Sequence, residues 1–356
     1  MSSAPSLCTR KIAWWLVICA AMVFAMVVLG GATRLTESGL SMVEWKPLTV
    51  TPPLSDAAWA TEFENYQRSP QFKKENSWMG VEDFKEIYWI EYLHRLWGRI
   101  IGLVFAVPFA WFLYKRAVDR HLAWKLGGLF ILGGAQGALG WFMVASGLVD
   151  RPDVSQYRLA AHLFTALVLY ALLIWTALDL FGQSRPPTQE PTDHAFAHWC
   201  LFVAGCVLLV MVSGAFVAGL DAGKIYNTFP LMEGKLVPDD LYLLGAGSPF
   251  EDIKTVQFNH RVLAITLVVL IIVTWLRARR VTLDAQSRKL AHALFAVAIA
   301  QASLGIATLL TLVNLHLALS HQTVALTLLT FALCLAHAVR PPAKAAPVPA
   351  ALHPAG

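Results

Sequence analysis

The sequence predicts an all-α integral membrane protein whose eight transmembrane helices form two pseudo-symmetric four-helix bundles. Three observations carry this. Of the 356 residues, 57% are hydrophobic and only 14% charged, where a soluble domain carries about 25% charged residues. Eight apolar stretches are long enough to cross a hydrocarbon core, which takes about 20 helical residues. The second half of the chain also repeats chemical features of the first, in the same order. This composition excludes a disordered chain and an ordinary soluble enzyme. The net charge of +5 is spread by loop and not gathered into a patch. No nucleic-acid partner is therefore expected; the surrounding partner is membrane lipid.

The first stretch, 12–32, follows Arg10-Lys11 and ends at Gly31-Ala32. Those flanks suit a signal peptide, but the apolar run is longer than a usual h-region. Because the repeat also uses it, it is read as a retained first span. Segment 33–90 interleaves Trp59, Phe63, Tyr66, Phe72, Trp78, Phe84, Tyr88 and Trp89 with charges. That pattern fits short amphipathic helices at the membrane interface, either as a lid over the first half or as anchors. Spans two to four run near 91–114, 123–146 and 157–181. A join rich in Pro, Gln and Thr leads to spans near 196–219, 256–276, 289–312 and 317–339. The last residues, 341–356, are rich in Pro and Ala and read as a disordered tail.

Lys and Arg cluster at Arg10-Lys11, at Lys115, Arg116, Arg120 and Lys125, at Arg277, Arg279, Arg280, Arg288 and Lys289, and at Arg340 and Lys344. The positive-inside rule then places both termini in the cytoplasm and segments 33–90 and 220–255 outside. Cys8, Cys19, Cys200, Cys206 and Cys334 lie in or beside apolar runs without any Cys-x-x-Cys spacing. They read as small hydrophobes, not as a zinc or redox site.

The repeat is explicit in the residues. Glu91-Tyr92-Leu93-His94-Arg95 answers to Gln257-Phe258-Asn259-His260-Arg261, Gln136 to Gly140 answers to Gln301 to Gly305, and His162 answers to His321. Gly31-Ala32, with Gly39 and Pro47 after it, answers to Gly214-Ala215, with Gly223 and Pro230. The halves are therefore read as 1–182, including the outer loop 33–90, and 195–340, joined by a cytoplasmic linker, 183–194. With four spans in each half, both halves face the same way, as a parallel repeat about the membrane normal.

Ionisable residues within spans are costly and mark function. His94, His162, His260 and His321 fall at one depth near the outer ends of helices that run in one direction. Two neutral imidazoles facing across a bundle can hold a haem iron from both sides. Copper or zinc would need further ligands that neither half shows. Arg95, Arg99 and Arg261 adjoin this layer and suit haem propionates or the outer headgroups. The remaining histidines, His121, His194, His198, His292, His316, His337 and His353, have no repeat partner and read as solvated or structural. Glu91, three residues before His94, shares its helix face, whereas the equivalent residue is Gln257. A carboxylate can move a proton and an amide cannot. The N-terminal half therefore reads as the reacting half and the C-terminal half as the holder of a permanent cofactor.

These residues resemble the haem A synthase family over about 10–340. The resemblance rests on Gly30 to Ser41, on Glu91 to Arg95 with Gly98-Arg99, on Gln136 to Gly140, on His162, on Tyr226 to Met232, on Asn259 to Arg261 and on His321-Gln322. It implies that a ring methyl of haem o, the substrate, is oxidised through a hydroxymethyl and a hydrated aldehyde to the formyl group of haem a. It also implies that His94 and His162 bind the substrate haem, that His260 and His321 hold the iron of a resident haem b cofactor, and that Glu91 is catalytic. Candidate partners are haem o synthase (the protohaem farnesyltransferase), terminal oxidase assembly factors, an unassigned electron acceptor and a second copy of the chain. The outer segments hold no cysteine, as in the alphaproteobacterial and mitochondrial branch, and a disulfide-linked mechanism is not expected. The short N terminus lacks a transit-peptide composition, so a bacterial inner membrane is the expected location. The alternative is a bis-histidine di-haem electron-transfer cytochrome, which would place its haems at opposite depths.

Overall fold

The computed structural model describes residues 7–44, 51–148, 154–182 and 193–341. Most of the expected linker, together with Pro47, Lys344, His353 and the tail from 342, lies outside these residues. The described chain is helical without strands. Its helices are α1 (Leu7–Leu35), α2 (Asp56–Gln67), α3 (Pro70–Lys74), α4 (Val81–Tyr114), α5 (Arg120–Gly147), α6 (Gln156–Gly182), α7 (His194–Gly219), α8 (Ser248–Glu251), α9 (Ile253–Ala278), α10 (Ala285–Leu310) and α11 (Leu315–Ala338). Eight of them, α1, α4 to α7 and α9 to α11, are long and apolar enough to span a membrane.

Sequence sets where several of these helices begin. Asp119, Asp193, Asp252 and Asp284 each accept a hydrogen bond from the backbone N–H three residues on, opening α5, α7, α9 and α10. Such caps satisfy a donor that the helix itself leaves bare.

Within the N-terminal half, α1 packs on α4 and α6, and α5 packs on the same two helices. The C-terminal half copies the arrangement, with α7 and α10 each packed on α9 and α11. Each half is thus a ring of four helices in which α4 and α6, or α9 and α11, stand diagonally opposite. The halves meet through α1, α6, α7 and α11. Leu16, Leu167, Leu173, Phe196, Leu326 and Leu329 are fully buried in that shared core. Of the most apolar window of α1 and of α6, 44% is buried, against 6% for α4 and for α5; α4 and α5 therefore present most of their surface to lipid. Lipid is as apolar as leucine, so close van der Waals packing, not exclusion of water, holds this core.

The two halves face the same way. Arg34, at the end of α1, donates to Ala218 O (2.8 Å) and Asp221 Oδ2 (3.0 Å) just beyond Gly214 on α7 and its exit. Lys224 bridges Asp221 (3.0 Å) and reaches Glu37 (4.0 Å). Glu37 and Asp221 both adopt positive φ and both lead into a short 3-10 turn. At the other end, Asp179 on α6 gathers Lys125 (3.0 Å), His337 (3.1 Å) and Arg340 (2.6 Å).

α4 begins at Val81, ten residues before the expected start at 91. The added turns carry Glu82, Asp83, Lys85 and Glu86, which hide them from a hydropathy reading. Their apolar face, Phe84, Ile87 and Tyr88, is buried against Trp59, Phe63 and Tyr66 of α2. The outer aromatic residues thus form a second core: Tyr66 stacks on Phe84 at 5.0 Å, and Trp59 meets Tyr88 edge-on at 5.1 Å. Burial pushes the Tyr66 hydroxyl up to about 12. Trp78 remains exposed.

Candidate functional site

The four paired histidines sit on the diagonal helices of the two rings, His94 on α4 and His162 on α6, His260 on α9 and His321 on α11. Within each half the two imidazoles lie within electrostatic range of each other. His162, His260 and His321 all stand six or seven residues from the start of their helices. His94 stands deeper in its own helix only because α4 is extended outward. The layer is therefore at one end of the molecule in both halves.

Glycine makes room for each imidazole, and it comes from the other diagonal. A Cβ placed on Gly30 of α1 would stand 3.3 Å from His94 Nε2; on Gly140 of α5, 3.2 Å from His162 Cε1; on Gly214 of α7, 3.3 Å from His260 Cε1; and on Gly305 of α10, 2.8 Å from His321 Cε1. In each ring, two helices supply histidine and two supply the gap beside it. This contact pairs Gly30 with Gly214, one residue away from the Gly31–Gly214 match read in the sequence. The positive-φ pair Glu37 and Asp221 confirms that register. The Gly39 to Gly223 match in the sequence has the same offset, but Gly30 and Gly31 are adjacent and a contact is needed to tell which of them stands beside the histidine.

Hydrogen bonds behind the rings orient three of the four. Gln136 Nε2 lies 3.0 Å from His162 Nδ1 and donates to His162 O at 2.9 Å. Its repeat partner Gln301 reaches His321 Nε2 at 3.5 Å. The Oε1 atoms of both glutamines, and His321 Nδ1, are buried without a partner. Ser213 Oγ lies 2.7 Å from His260 Nδ1. These supports went unremarked in the sequence, although Gln136 and Gln301 stand at matched repeat positions.

Glu91 is 2% exposed and fully engaged. Its Oε2 accepts from Ser41 Oγ (2.7 Å) and from Met42 N–H (2.7 Å), and its Oε1 accepts from Arg95 (2.5 Å). Arg95 also donates to Met42 O (2.8 Å) and Glu44 O (3.1 Å). The C-terminal half reproduces this clamp with a neutral partner. Arg261 donates to Tyr226 O (2.7 Å), Thr228 O (2.8 Å) and Gln257 Oε1 (2.8 Å), and Gln257 Nε2 donates to Ala222 O (2.7 Å). Both arginines therefore tie the outer connection to the histidine helix, a role the propionate expectation did not include. Arg261 Nε stays buried without a partner. Arg99 follows one turn after Arg95 and is partly buried.

This donor set suits haem better than a bare ion. Among the described residues, no group of three or more His, Cys, Asp or Glu gathers as a metal shell. Two imidazoles facing across a ring of four helices, each beside a glycine gap, leave a flat planar group as the object they can share. No cysteine takes part; all five are unpaired.

The family model for the cytochrome oxidase assembly protein COX15-CtaA matches residues 13–333. The chain is 49% identical to heme A synthase of Nitrosospira multiformis, over 93% of this chain and 94% of that protein. It is 47% identical to heme A synthase of Paramagnetospirillum magneticum, over 92% and 93%. It is 45% identical to heme A synthase COX15 of Arabidopsis thaliana, over 92% of this chain and 74% of that protein.

Proposed function

The chain belongs to the cytochrome oxidase assembly family of haem A synthases, and from that premise we propose how its two halves divide the work. It is an oxidoreductase that converts haem o to haem a. Turning a ring methyl into a formyl group is a four-electron oxidation that adds one oxygen atom, and the electrons pass to an acceptor outside this chain. The N-terminal ring, through His94 and His162, binds haem o. The C-terminal ring, through His260 and His321, holds a resident haem b, which supplies a one-electron redox centre when bound. Arg99 and the Nε of Arg261 are the groups we assign to propionates.

The observation that carries this division is the pair Glu91 and Gln257. The two halves match in histidines, glycines, glutamines and arginine clamps. They differ where a proton would have to move. Glu91 stands one turn before His94 and can take up a proton at a carboxylate oxygen. Ser41, Met42 N–H and Arg95 fix its orientation, so it can act without searching for position. Gln257 holds the same place by hydrogen bonds that carry no titratable proton. The outer core of α2, α3 and the start of α4 covers this half and shelters Glu91 from bulk water.

The loop charges support cytoplasmic N and C termini, with the histidine layer at the outer side of a bacterial inner membrane. Docking of haem o synthase, of oxidase assembly factors or of a second copy of the chain belongs to the same reading.

The test is the haem inventory of the purified protein after expression with a haem o source, separated by chromatography with mass detection. Haem b together with haem o, haem a or their alcohol intermediate is expected. Two haem b per chain despite available haem o would instead indicate the di-haem electron-transfer cytochrome.

A further inference from the structure

Of the contacts to the paired histidines, the glutamine pair recurs in both halves, although Gln136 reaches Nδ1 and Gln301 reaches Nε2, and the contact to the other histidine is present in one half alone. His162 and His321 each have a glutamine, Gln136 and Gln301. His260 has Ser213 at 2.7 Å. In the register fixed by Gly30 and Gly214, the residue matching Ser213 is Leu29. Leu29 has no side-chain polar atom, and no hydrogen bond to the His94 ring is found among the described residues.

The Ser213 contact also suits one tautomer. Ser213 Oγ lies 2.8 Å from Val210 O, to which its hydroxyl proton can be donated, and 2.7 Å from His260 Nδ1. In that arrangement Ser213 Oγ accepts from His260 Nδ1–H, and the Nε2 lone pair is left bare. That is the form in which an imidazole binds iron through Nε2. An acceptor behind Nδ1–H also makes the ring a stronger base and holds it in place. His94 has neither advantage, and its Nε2 faces the backbone at Gly30.

We propose that Ser213 is the positioning residue that makes the C-terminal haem permanent, and that Leu29 leaves the N-terminal haem exchangeable. This rests on the assignment of resident haem to His260 and His321 and of substrate haem to His94 and His162. It supplies a physical reason for the division. A substrate must enter and its product must leave, whereas a cofactor must stay. One hydroxyl, present in one half and absent from the other, biases two otherwise matched sites in those directions.

The test measures haem loss from the purified protein, loaded with haem b and haem o, to an excess apohaemoprotein acceptor. A fast and a slow phase are expected, with the slow phase carrying haem b. His260→Ala should abolish the slow phase; if it does not, the assignment of the resident haem is wrong and the question of Ser213 does not arise. Given that it does, Ser213→Ala should speed the slow phase by about 10–100-fold, as loss of an outer partner weakens a metal–histidine site, and should leave the fast phase alone. It should also raise the reduction potential of the bound haem b, since a less basic ligand favours the ferrous state. Ser213→Thr keeps an acceptor oxygen and should restore both values. Leu29→Ser should slow the fast phase. An unchanged slow phase and potential in Ser213→Ala, with the His260 assignment intact, would overturn the proposal.

Discussion

Replacing Glu91 by glutamine separates anchoring from chemistry. Three donors meet the carboxylate: Ser41 Oγ, Met42 N–H and Arg95. In Glu91→Gln, the amide oxygen can still accept from Arg95, as Gln257 does from Arg261 at 2.8 Å. That bond loses its ionic character, at a cost of about 1–1.5 kcal/mol, the difference between a charged and a neutral hydrogen bond. The amide nitrogen then faces Ser41 and Met42 N–H. Ser41 can turn its hydroxyl and accept, but Met42 N–H is left opposite another donor, a buried loss of about 1–3 kcal/mol. The sum, about 2–4.5 kcal/mol, falls on the outer connection and not on the spans. The variant should therefore fold and keep its bound haem b. General acid–base catalysis is worth about 10²–10⁴-fold, so haem a formed per bound haem b should fall by that factor. Chromatography of the extracted haems with mass detection reads both quantities. Ser41→Ala removes one anchoring bond but keeps the carboxylate, and should stay within a few-fold of wild type. Haem a production by Glu91→Gln within tenfold of wild type would refute the catalytic role. Equal losses in Glu91→Gln and Ser41→Ala would mean that Glu91 acts only as an anchor.

Other outcomes follow from the same geometry. Gly31→Ala would put a Cβ 2.0 Å from Gln322 Oε1 and so displace the Gln322 bond to Val27 O (2.6 Å), which ties α11 to α1 beside His321; the bound haem b spectrum should shift, and in Gln322→Ala the added Gly31→Ala should have no further effect, which fails if the two changes simply add. Phe84→Ala opens the outer aromatic core at a cost of about 3–5 kcal/mol; limited proteolysis should then cut within 56–80 while the spans stay intact, and unchanged protection would contradict the packing described. Burial raises the Asp221 carboxyl, but Arg34 and Lys224 outweigh it and hold the group below its usual range. The stability it contributes is therefore complete above the unfolded value, about 3.9, and is lost as pH falls through the lower folded one. The difference in detergent melting temperature between wild type and Asp221→Asn should be constant above pH 5 and shrink as pH falls below about 4; a difference that does not shrink there would contradict this pairing.

Much of the fold was legible because lipid imposes a simple rule. A span must be long and apolar, and all eight were found within a few residues except the start of α4. That start was hidden because Glu82, Asp83, Lys85 and Glu86 occupy the exposed face of turns whose other face is buried, a pattern invisible to averaged hydropathy. The four histidines stood out because polar groups are rare in spans and these recur at matched positions. The supporting contacts did not. Ser213 and Leu29 look unrelated until the Gly30 and Gly214 contacts fix the register between α1 and α7. Arg95 and Arg261 were read as suiting propionates or the outer headgroups; besides Glu91 and Gln257, their partners are the carbonyls of Met42, Glu44, Tyr226 and Thr228, backbone atoms that leave no mark on a sequence.

The central claim is that two matched histidine pairs hold different haems. Haem content after loading with both haem b and haem o, compared between His94→Ala and His260→Ala, tests it most directly. His260→Ala should lose haem b and still bind haem o; His94→Ala should keep one haem b per chain and lose haem o and haem a. Loss of haem b from His94→Ala with its retention in His260→Ala would reverse the assignment, and equal loss of both haems from both variants would contradict the division between the halves.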